Sequence, residues 1–485
     1  MKWGSPRDAG GWPCGATQSL PKQWARATAV VLMVFGAAAC SLAPRYHRLE
    51  VTLPSAWTGE SETTAAEPAG EWWKRFGSSQ LDDFIARAQS ANDDIGAAMA
   101  RILEADAQAR IAGAALLPSL TGDAGATRER AVLTGVAPYP THNLYDVGLS
   151  ASYHADFLGR NRDLHKAALA AAKASRFDRD TVVLTVLTRV ALTYFEALEF
   201  NDRLQVAYQN YANAETILKD LEFEASVGTA TALDVAQQAT TVASINATIP
   251  PLKQQLRQSL DALAVLTGQT PDQVTPAEGG LDALSLPIVS AGLPSQLLAR
   301  RPDVAEAEQQ LIEANANIGA ARAAFFPSID LTASGGFESA ALGSLLTPAT
   351  RVFAVSTGLT QIIFDHGELL GQYQYRKARY AELLSGYHKT VLTALANVED
   401  TLVAVQQTAD QELRLQDAAE KARRAFEFAQ LQFQAGTTDV LIMLNTETAQ
   451  FTAQDALVQG KFAHTQALLS LYQALGGGWH APHSP

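Results

Sequence analysis

The chain has little of what catalysis and metal binding require. Its 485 residues include only two cysteines, Cys14 and Cys40, and four methionines. So few thiols exclude a disulfide framework and a cysteine-based metal site, and the scarcity of methionine disfavours a relay for soft metal ions. The phosphate-loop, zinc-protease, dithiol and nucleophile-elbow motifs are also missing. We therefore expect no catalytic residues, no cofactor and no metal site, and thus no enzyme.

A membrane-spanning helix needs an apolar run of about 20 residues. The apolar stretch at residues 27–35 is too short for that purpose. It follows Lys22 and Arg26 and precedes a run of small residues. This order is typical of a secretory signal, which predicts that residues 1–39 are removed.

The end of this signal resembles a bacterial lipoprotein cleavage site. Residues 37–40 read Ala-Ala-Ala-Cys, although Ala37 stands where leucine is usual, and Ser41 follows. The resemblance implies that Cys40 becomes an acylated, palmitate-bearing first residue, and that Ser41 favours sorting to the outer membrane. Several acyl chains would anchor the protein stably. Cleavage nearby without acylation is the alternative.

Basic residues are scarce in the predicted mature chain. The whole chain has a formal charge of −13. The signal carries four basic residues and one acid, namely Lys2, Arg7, Lys22, Arg26 and Asp8, so the mature charge is −13 − 3 = −16. Nucleic acid requires basic faces, so we expect no nucleic-acid partner. An acidic surface or lumen suits this composition.

The chain is internally repeated. Residues 102–120 recur loosely as residues 311–329, and Pro118 matches Pro327 at a spacing of 327 − 118 = 209. Two glycine pairs lie 208 residues apart, Gly159 with Gly367 and Gly228 with Gly436. This period is far longer than a solenoid unit and indicates a duplicated half-protein, each half reading helix, two strands, very long helix, turn and helix.

The duplication divides the chain into six predicted parts. They are the signal (1–39), an N-terminal arm with the start of an equatorial region (40–80), the first repeat (81–275), an equatorial linker (276–299), the second repeat (300–476) and a C-terminal tail (477–485).

Each repeat contains two segments of alternating apolar and polar residues. We predict strands at about 119–133, 145–158, 327–340 and 351–364. Their length of about 10 to 13 residues suits tilted strands that cross a bilayer; a half-buried soluble sheet is the alternative. An open sheet edge cannot face lipid, and four strands are too few for a barrel. Several copies must therefore combine, giving eight strands in a dimer or twelve in a trimer.

The helices are unusually long. The pattern predicts a helix over residues 81–117 and long helices over about 160–223 and 367–434, the latter roughly 100 Å long. A seam at steps of 3 and 4 runs along the second long helix, typical of a coiled coil: Leu384, Tyr387, Val391, Leu395, Val398, Leu402 and Val405. Each long helix returns through a glycine turn as a shorter helix, which indicates a bundle or a tube wall.

Four segments together carry a resemblance to a known family. They are residues 300–329 (RRPDVAEAEQQLIEANANIGAARAAFFPSI), 156–160 (DFLGR), 363–367 (IFDHG) and 433–439 (FQAGTTD). The chain resembles the TolC-like outer-membrane efflux proteins, in their lipoprotein branch of the OprM and NodT type. It departs from the family pattern at Tyr153, where tryptophan is common, and at His366, where glycine is common.

The resemblance implies a mainly α-helical homotrimer with a transmembrane β-barrel. Its 12 strands would cross the outer membrane, and the barrel would continue into a periplasmic tube of coiled-coil helices with an equatorial girdle. Such a protein is the passive outer-membrane duct of a tripartite efflux pump for drugs or other small amphiphiles, as in multidrug resistance. Its partners would be a periplasmic adaptor and an inner-membrane RND-type pump. Protein secretion or metal efflux through the same duct, or a non-channel periplasmic scaffold lipoprotein, are alternatives.

Two kinds of site are expected in such a duct. The adaptor would contact the two turns, which contain Gly228, Thr229, Gly436, Thr437 and Asp439. Glu427 falls where related proteins carry an aperture acid, so three copies would form an acidic gating ring, with Glu420 and Asp417 as further candidates. A solvated acid on the helix surface is the alternative for Glu427.

Overall fold

The structure is a computed structural model that describes residues 41–48, 54, 56–57, 70–130, 141–274, 279–289, 291–292 and 294–479. The main elements in chain order are α1 (Ser79–Ala91), α2 (Asp93–Ala114), β1 (Ser119–Glu129), β2 (His142–Ala155), α3 (Arg160–Ser226), α4 (Ala232–Leu266), α5 (Pro294–Arg300), α6 (Pro302–Ala323), β3 (Ser328–Ser339), β4 (Arg351–Thr360), α7 (Glu368–Gln434) and α8 (Val440–Ala474). A 3-10 helix, Trp72–Phe76, precedes α1.

The longest helices recur at a fixed offset. Helices α3 and α7 each contain 67 residues, and α4 and α8 each contain 35. Each begins and ends 208 residues after its counterpart, as 368 − 160 = 208 and 474 − 266 = 208 show for the outermost bounds. Positions 208 residues apart are called equivalent below.

The chain divides into two compact units. The first contains residues 113–164 and 319–371 together with the described start of the chain. It holds one antiparallel sheet in the order β1-β2-β3-β4. Among the described residues, β1 pairs only with β2 and β4 pairs only with β3, so both outer edges lack a partner strand within this part of the chain.

The register gives this sheet two different faces. Ala151 of β2 lies opposite Leu120 of β1 and Ala333 of β3, and Ala333 lies opposite Val355 of β4. Because directly opposite residues share a face, the apolar positions of all four strands lie together. The other face is polar, with hydroxyl pairs Ser119–Ser152 at 2.7 Å, Thr121–Ser150 at 2.6 Å and Thr332–Ser356 at 2.6 Å.

Several element bounds differ from the sequence predictions. The strands predicted to end at about residues 133, 158 and 364 end at Glu129, Ala155 and Thr360. Residues 131–140 lie outside the described residues. The end of β2 has a local cause, since the Asp156 carboxylate accepts hydrogen bonds from the Asn161 and Arg162 backbone at 3.1 and 2.9 Å and starts α3.

The single helix predicted over residues 81–117 is wrong, because the chain forms α1 and α2 with a break at Asn92. Asn92 has extended backbone with φ −73° and ψ 128°. Its side-chain oxygen Oδ1 accepts from the Asp94 and Ile95 backbone N–H groups at 3.0 and 3.1 Å, the bonds of a helix N-cap. Its amide also donates to the Leu266 carbonyl at 2.9 Å, which ties the break to the end of α4.

The second unit contains residues 45–112, 165–318 and 372–485. Its largest apolar core joins segments that are distant in sequence: Trp72 and Phe76 lie with Leu281 and Tyr472. The rings of Trp72 and Tyr472 stack at 5.5 Å. The predicted seam of α7 forms a second core, with Tyr387, Val391 and Val398 buried and Leu384, Leu395, Leu402 and Val405 packed against them.

One helix in the described part of the chain is long and apolar enough to cross a membrane. An 18-residue window of α3 has a mean hydropathy of 1.5, and 56% of that window is buried within the protein. A core helix has the same properties, so this window is weak evidence for a membrane-spanning helix.

Candidate functional site

The first tip, residues 227–233, ends α3 with a glycine in the left-handed region. Gly228 has φ +86°, and beyond its own chain neighbours no heavy atom lies within 4 Å of the position that a Cβ would take. Its N–H donates to the Ala225 carbonyl at 3.1 Å, and the Thr229 N–H donates to the Glu224 carbonyl at 2.9 Å. These two bonds form a Schellman motif, so the turn is fixed by backbone bonds and glycine conformation.

The second tip, residues 435–441, ends α7 in the same way. Gly436 has φ +68°, its N–H donates to the Phe433 carbonyl at 2.9 Å, and the Thr437 N–H donates to the Gln432 carbonyl at 2.9 Å. The threonine hydroxyls repeat the pattern as well. Thr229 Oγ1 donates to the Glu224 backbone carbonyl at 2.9 Å, and Thr437 Oγ1 donates to the Gln432 backbone carbonyl at 3.0 Å.

The returning helices begin with different caps at equivalent positions. Thr231 caps α4 by accepting from the Asp234 N–H at 3.2 Å, and the Asp234 carboxylate accepts from the Thr231 N–H at 2.9 Å, which is a capping box. Asp439 caps α8 alone, accepting from the Leu441 N–H at 3.3 Å. Asp439 is therefore a structural cap as well as a predicted contact residue.

The tips are exposed above a packed base. Leu233 is 64% exposed and the equivalent Leu441 is 47% exposed. Below them an apolar cluster joins α3, α7 and α8: Ile217, Leu221, Phe426, Ala429, Val440, Met443 and Leu444. Two hydrogen-bonded turns with an exposed leucine each, above one common core, form a surface that a protein partner can contact.

The predicted aperture acids lie on one stripe of α7, and each has a basic partner. Asp417, Glu420 and Glu427 follow steps of 3 and 7, which keep them on one side of a helix. The Lys421 ammonium pairs with Asp417 at 2.6 Å, and the Arg424 guanidinium pairs with Glu420. Arg423 pairs with Glu427 at 2.5 Å. Both groups in the last pair are about half exposed.

The predicted site residues did not include these basic partners, although the four-residue spacing of opposite charges was a readable signal. They did not include the equivalent pair on α3 either. Arg423 and Glu427 correspond to Glu215 and Lys219, whose charged groups lie 3.6 Å apart and have the opposite order of signs. Glu427 therefore corresponds to a base, whereas Glu420 corresponds to Ala212 and Asp417 to Gln209.

A buried carboxyl group lies beneath the second tip and was also missed. Glu447 of α8 is 4% exposed, and burial raises its pKa to about 7, with a smaller opposing effect from the Gln238 side chain. Gln238 is itself fully buried, and its amide donates to the Ala214 carbonyl at 2.8 Å. The available signal was a glutamate on the apolar stripe of Val440, Met443 and Leu444.

The remaining predicted site residue, Cys40, lies outside the described residues. The residue that follows it, Ser41, is described, and its hydroxyl donates to the Asp163 carboxylate at 2.8 Å.

Comparison with known proteins identifies the family. A family model described as outer membrane efflux protein matches residues 84–269 and again residues 293–477. The pyoverdine export outer membrane protein OpmQ of Pseudomonas aeruginosa is 39% identical over 454 residues, which cover 91% of this chain and 95% of that protein. The toluene efflux pump outer membrane protein TtgF of Pseudomonas putida is 31% identical over 454 residues, covering 91% and 94%.

Solved structures agree with this assignment. The outer-membrane channel OprN matches with a TM-score of 0.85 and 26% identity, covering 91% of this chain and 100% of that chain. The open state of the MtrE outer membrane channel of Neisseria gonorrhoeae matches with a TM-score of 0.83 and 29% identity, covering 90% and 98%. The chain therefore belongs to the outer membrane efflux protein family, and it is an outer-membrane channel component of an efflux pump and not an enzyme.

Proposed function

We propose that the protein is a passive, homotrimeric export duct for small amphiphilic molecules. The observation that carries the proposal is the two-faced sheet with two unpaired outer edges in the described part of the chain. Its apolar face suits lipid, and its polar face suits a water-filled lumen. Unpaired edges are not tolerated in lipid. Three copies would close a 12-stranded barrel, which the periplasmic helices would extend as a tube.

The two tips are proposed to dock a periplasmic adaptor, which would connect the duct to an RND-type pump of the inner membrane. The equivalent turns at Gly228 and Gly436 support this role, because each is fixed by backbone hydrogen bonds, exposed, and followed by an exposed leucine. A trimer would present six such turns in alternation.

The relatives favour small molecules as cargo. One is named for pyoverdine export and another for toluene efflux, so both pyoverdine-like molecules and small apolar solvents are candidate substrates here. The 39% identity to the pyoverdine exporter supports pyoverdine-like molecules as a candidate cargo beside small amphiphiles. Protein secretion and metal efflux remain the less supported alternatives.

Acylation of Cys40 is proposed to anchor the mature chain to the inner leaflet of the outer membrane. The signal-like residues before it and the serine after it support this, and outer-membrane localisation agrees with the family.

The aperture is proposed to lie on the stripe of Asp417, Glu420 and Glu427. Since Glu427 corresponds to Lys219 in the first half, a trimer would place three acids and three bases at equivalent positions. We therefore expect Glu427 to act through opposite charges that hold the opening narrow, more than through an uncompensated acidic ring.

The test is single-channel conductance of the detergent-extracted mature protein in a planar bilayer. Wild type is compared with Glu427→Ala, and Glu215→Ala is the matched control, because it removes the acid of the equivalent pair on α3. Discrete steps in all three proteins, with a conductance at least about twofold higher in Glu427→Ala alone, would support both the duct and this gate.

Other results separate the parts of the proposal. Steps of equal size in every protein would keep the duct and reject Glu427 as the gate. An equal increase in conductance in both variants would assign gating jointly to the Arg423–Glu427 pair and to the equivalent Glu215–Lys219 pair. A protein that gives no steps and remains monomeric would reject the duct.

A further inference from the structure

The first described residues of the chain, 41–43, lie against Asp163, Gly319 and Arg322 in the first unit. These three residues are called the slot below. Ser41 Oγ lies 2.8 and 2.9 Å from the two carboxylate oxygens of Asp163. Asp163 is 3% exposed, and it lies in the first turn of α3, eight residues after the end of β2 (163 − 155 = 8). A hydroxyl that donates to a buried carboxylate makes one of the stronger neutral-to-charged hydrogen bonds.

Two residues of α6 complete the slot. Arg322 donates to the Leu42 carbonyl at 3.3 Å. Gly319 allows the chain to approach closely, since a Cβ there would lie 2.4 Å from an Asp163 oxygen and 2.6 Å from the Ala43 Cβ. Glycine inside a helix costs about 1 kcal/mol relative to alanine. The close contact with Ala43 explains why a glycine occupies this position inside a helix.

The equivalent positions in the other half lack these features. Helix α6 follows α2 at an offset of 209 (302 − 93 = 209), so Gly319 corresponds to Arg110 and Arg322 to Gly113. Asp163 corresponds to Gly371 at the offset of 208, and no heavy atom lies within 4 Å of a Cβ built there. A repeated chain has one N-terminus, and only one of its two equivalent positions carries the acid, the glycine and the arginine.

We propose that Asp163, Gly319 and Arg322 form a binding site for the mature N-terminus, which fixes the departure point of the membrane anchor beside the ends of β2 and β3. Cys40 directly precedes Ser41 in the chain, so a site that holds Ser41 also limits where an anchor on Cys40 can attach. The acyl chains and the strands would then enter the membrane as one positioned unit. The lipid part of this inference rests on the proposed acylation of Cys40, whereas the slot itself does not.

Trypsin offers a direct test, because the exposed Arg45 follows the slot. Cleavage after Arg45 would release residues 40–45 with any attached lipid. The full-length protein in detergent is digested briefly, and the released peptide is measured by mass spectrometry. We expect Ser41→Ala and Gly319→Ala to increase the release rate about tenfold, the effect of losing a hydrogen bond to a charged group, because cleavage follows the population of the opened segment.

Two controls make the result specific. Ser41→Thr retains the hydroxyl and should keep the wild-type rate. Gly371→Ala adds the same methyl group to a helical glycine with open space around it, and it should also leave the rate unchanged. A wild-type rate of peptide release from both Ser41→Ala and Gly319→Ala would reject the slot as a binding site. An equally accelerated release from the Gly371→Ala control would reject it as well.

The mass of the released peptide separates this inference from the proposed function. A protected peptide without acyl chains would reject the lipid anchor and leave the slot intact. An acylated peptide that is released equally fast from every protein would keep the anchor and reject the slot.

Discussion

At the scale of single residues, the buried carboxyl group of Glu447 links the base of the second tip to pH. Its pKa rises from 4.5 to about 7 on folding, mainly because burial disfavours the charged form. The folded state thus binds this proton more tightly than the unfolded state. The resulting stability is fully present below pH 4.5, and it is lost as the pH rises towards and through 7. A shift of this size corresponds to about 3 kcal/mol.

We expect Glu447→Gln to weaken the dependence of folding stability on pH. The variant should have a higher melting temperature than wild type at pH 8, and the difference should be smaller at pH 5, where the carboxyl of the folded protein is neutral. Circular dichroism of the detergent-extracted protein across pH 5 to 8 measures this difference. An unchanged difference between the two melting curves at pH 5 and pH 8 would contradict the prediction.

Glu306 of α6 provides an independent comparison. Burial, with the nearby Asp178 and Asp303 charges, raises its pKa to about 7 as well. Glu306→Gln should therefore weaken the pH dependence of stability over the same range. The double variant should show the sum of both effects, since neither glutamate contributes to the other's pKa shift.

At the scale of elements, the glycine turns couple stability to the docking surface. Gly436 has φ +68° with open space around it, so Gly436→Ala would be strained by its backbone conformation and not by a clash. We expect a loss of about 1 kcal/mol, local to the Schellman turn, and weaker capture of the adaptor by the tip. Chemical denaturation and an adaptor pull-down measure the two effects.

Gly386 of α7 is the matched control for this substitution. It also has open space around it, but its φ is not positive. Gly386→Ala should therefore stabilise the helix by about 0.5–1 kcal/mol and leave adaptor capture unchanged. If the two glycines responded alike, the left-handed conformation would not be the cause.

Much of the element order could be predicted, because apolar periodicity and the glycine and proline residues that end helices and strands are local signals. The long helices predicted at about 160–223 and 367–434 are found at Arg160–Ser226 and Glu368–Gln434. His366, noted as a departure from glycine, has φ 54°, the region that glycine favours. The departure therefore marks a real constraint of the backbone.

Other features could not be predicted from local pattern. Helix α4 continues through Pro250 and Pro251, where propensity alone would end it. The N-cap role of Asn92 was readable from the acids after it, but its bond to Leu266 spans 174 residues. The Asp163 slot likewise joins residues more than 100 positions apart, and no periodicity reports such contacts.

At the scale of the whole molecule, the two open edges of the sheet predict how copies assemble. In a closed ring, the β1 edge of one copy meets the β4 edge of the next, a head-to-tail contact that closes only at a fixed number of subunits. Edge strands of this kind otherwise promote uncontrolled association. The repeated halves would then alternate around the ring, which agrees with helices whose bounds recur at 208 residues.

Cysteines introduced at the two edges test this closure. Cys14 leaves with the predicted signal and Cys40 would be acylated, so the mature chain offers no competing thiol. We expect Ala124→Cys on β1 combined with Val355→Cys on β4, treated with a short bifunctional thiol reagent, to give covalent dimers and trimers on denaturing gels. Either cysteine alone should give none of these bands, because identical edges do not meet in a head-to-tail ring. Bands beyond three copies would contradict closure at twelve strands, and a dimer limit would favour eight.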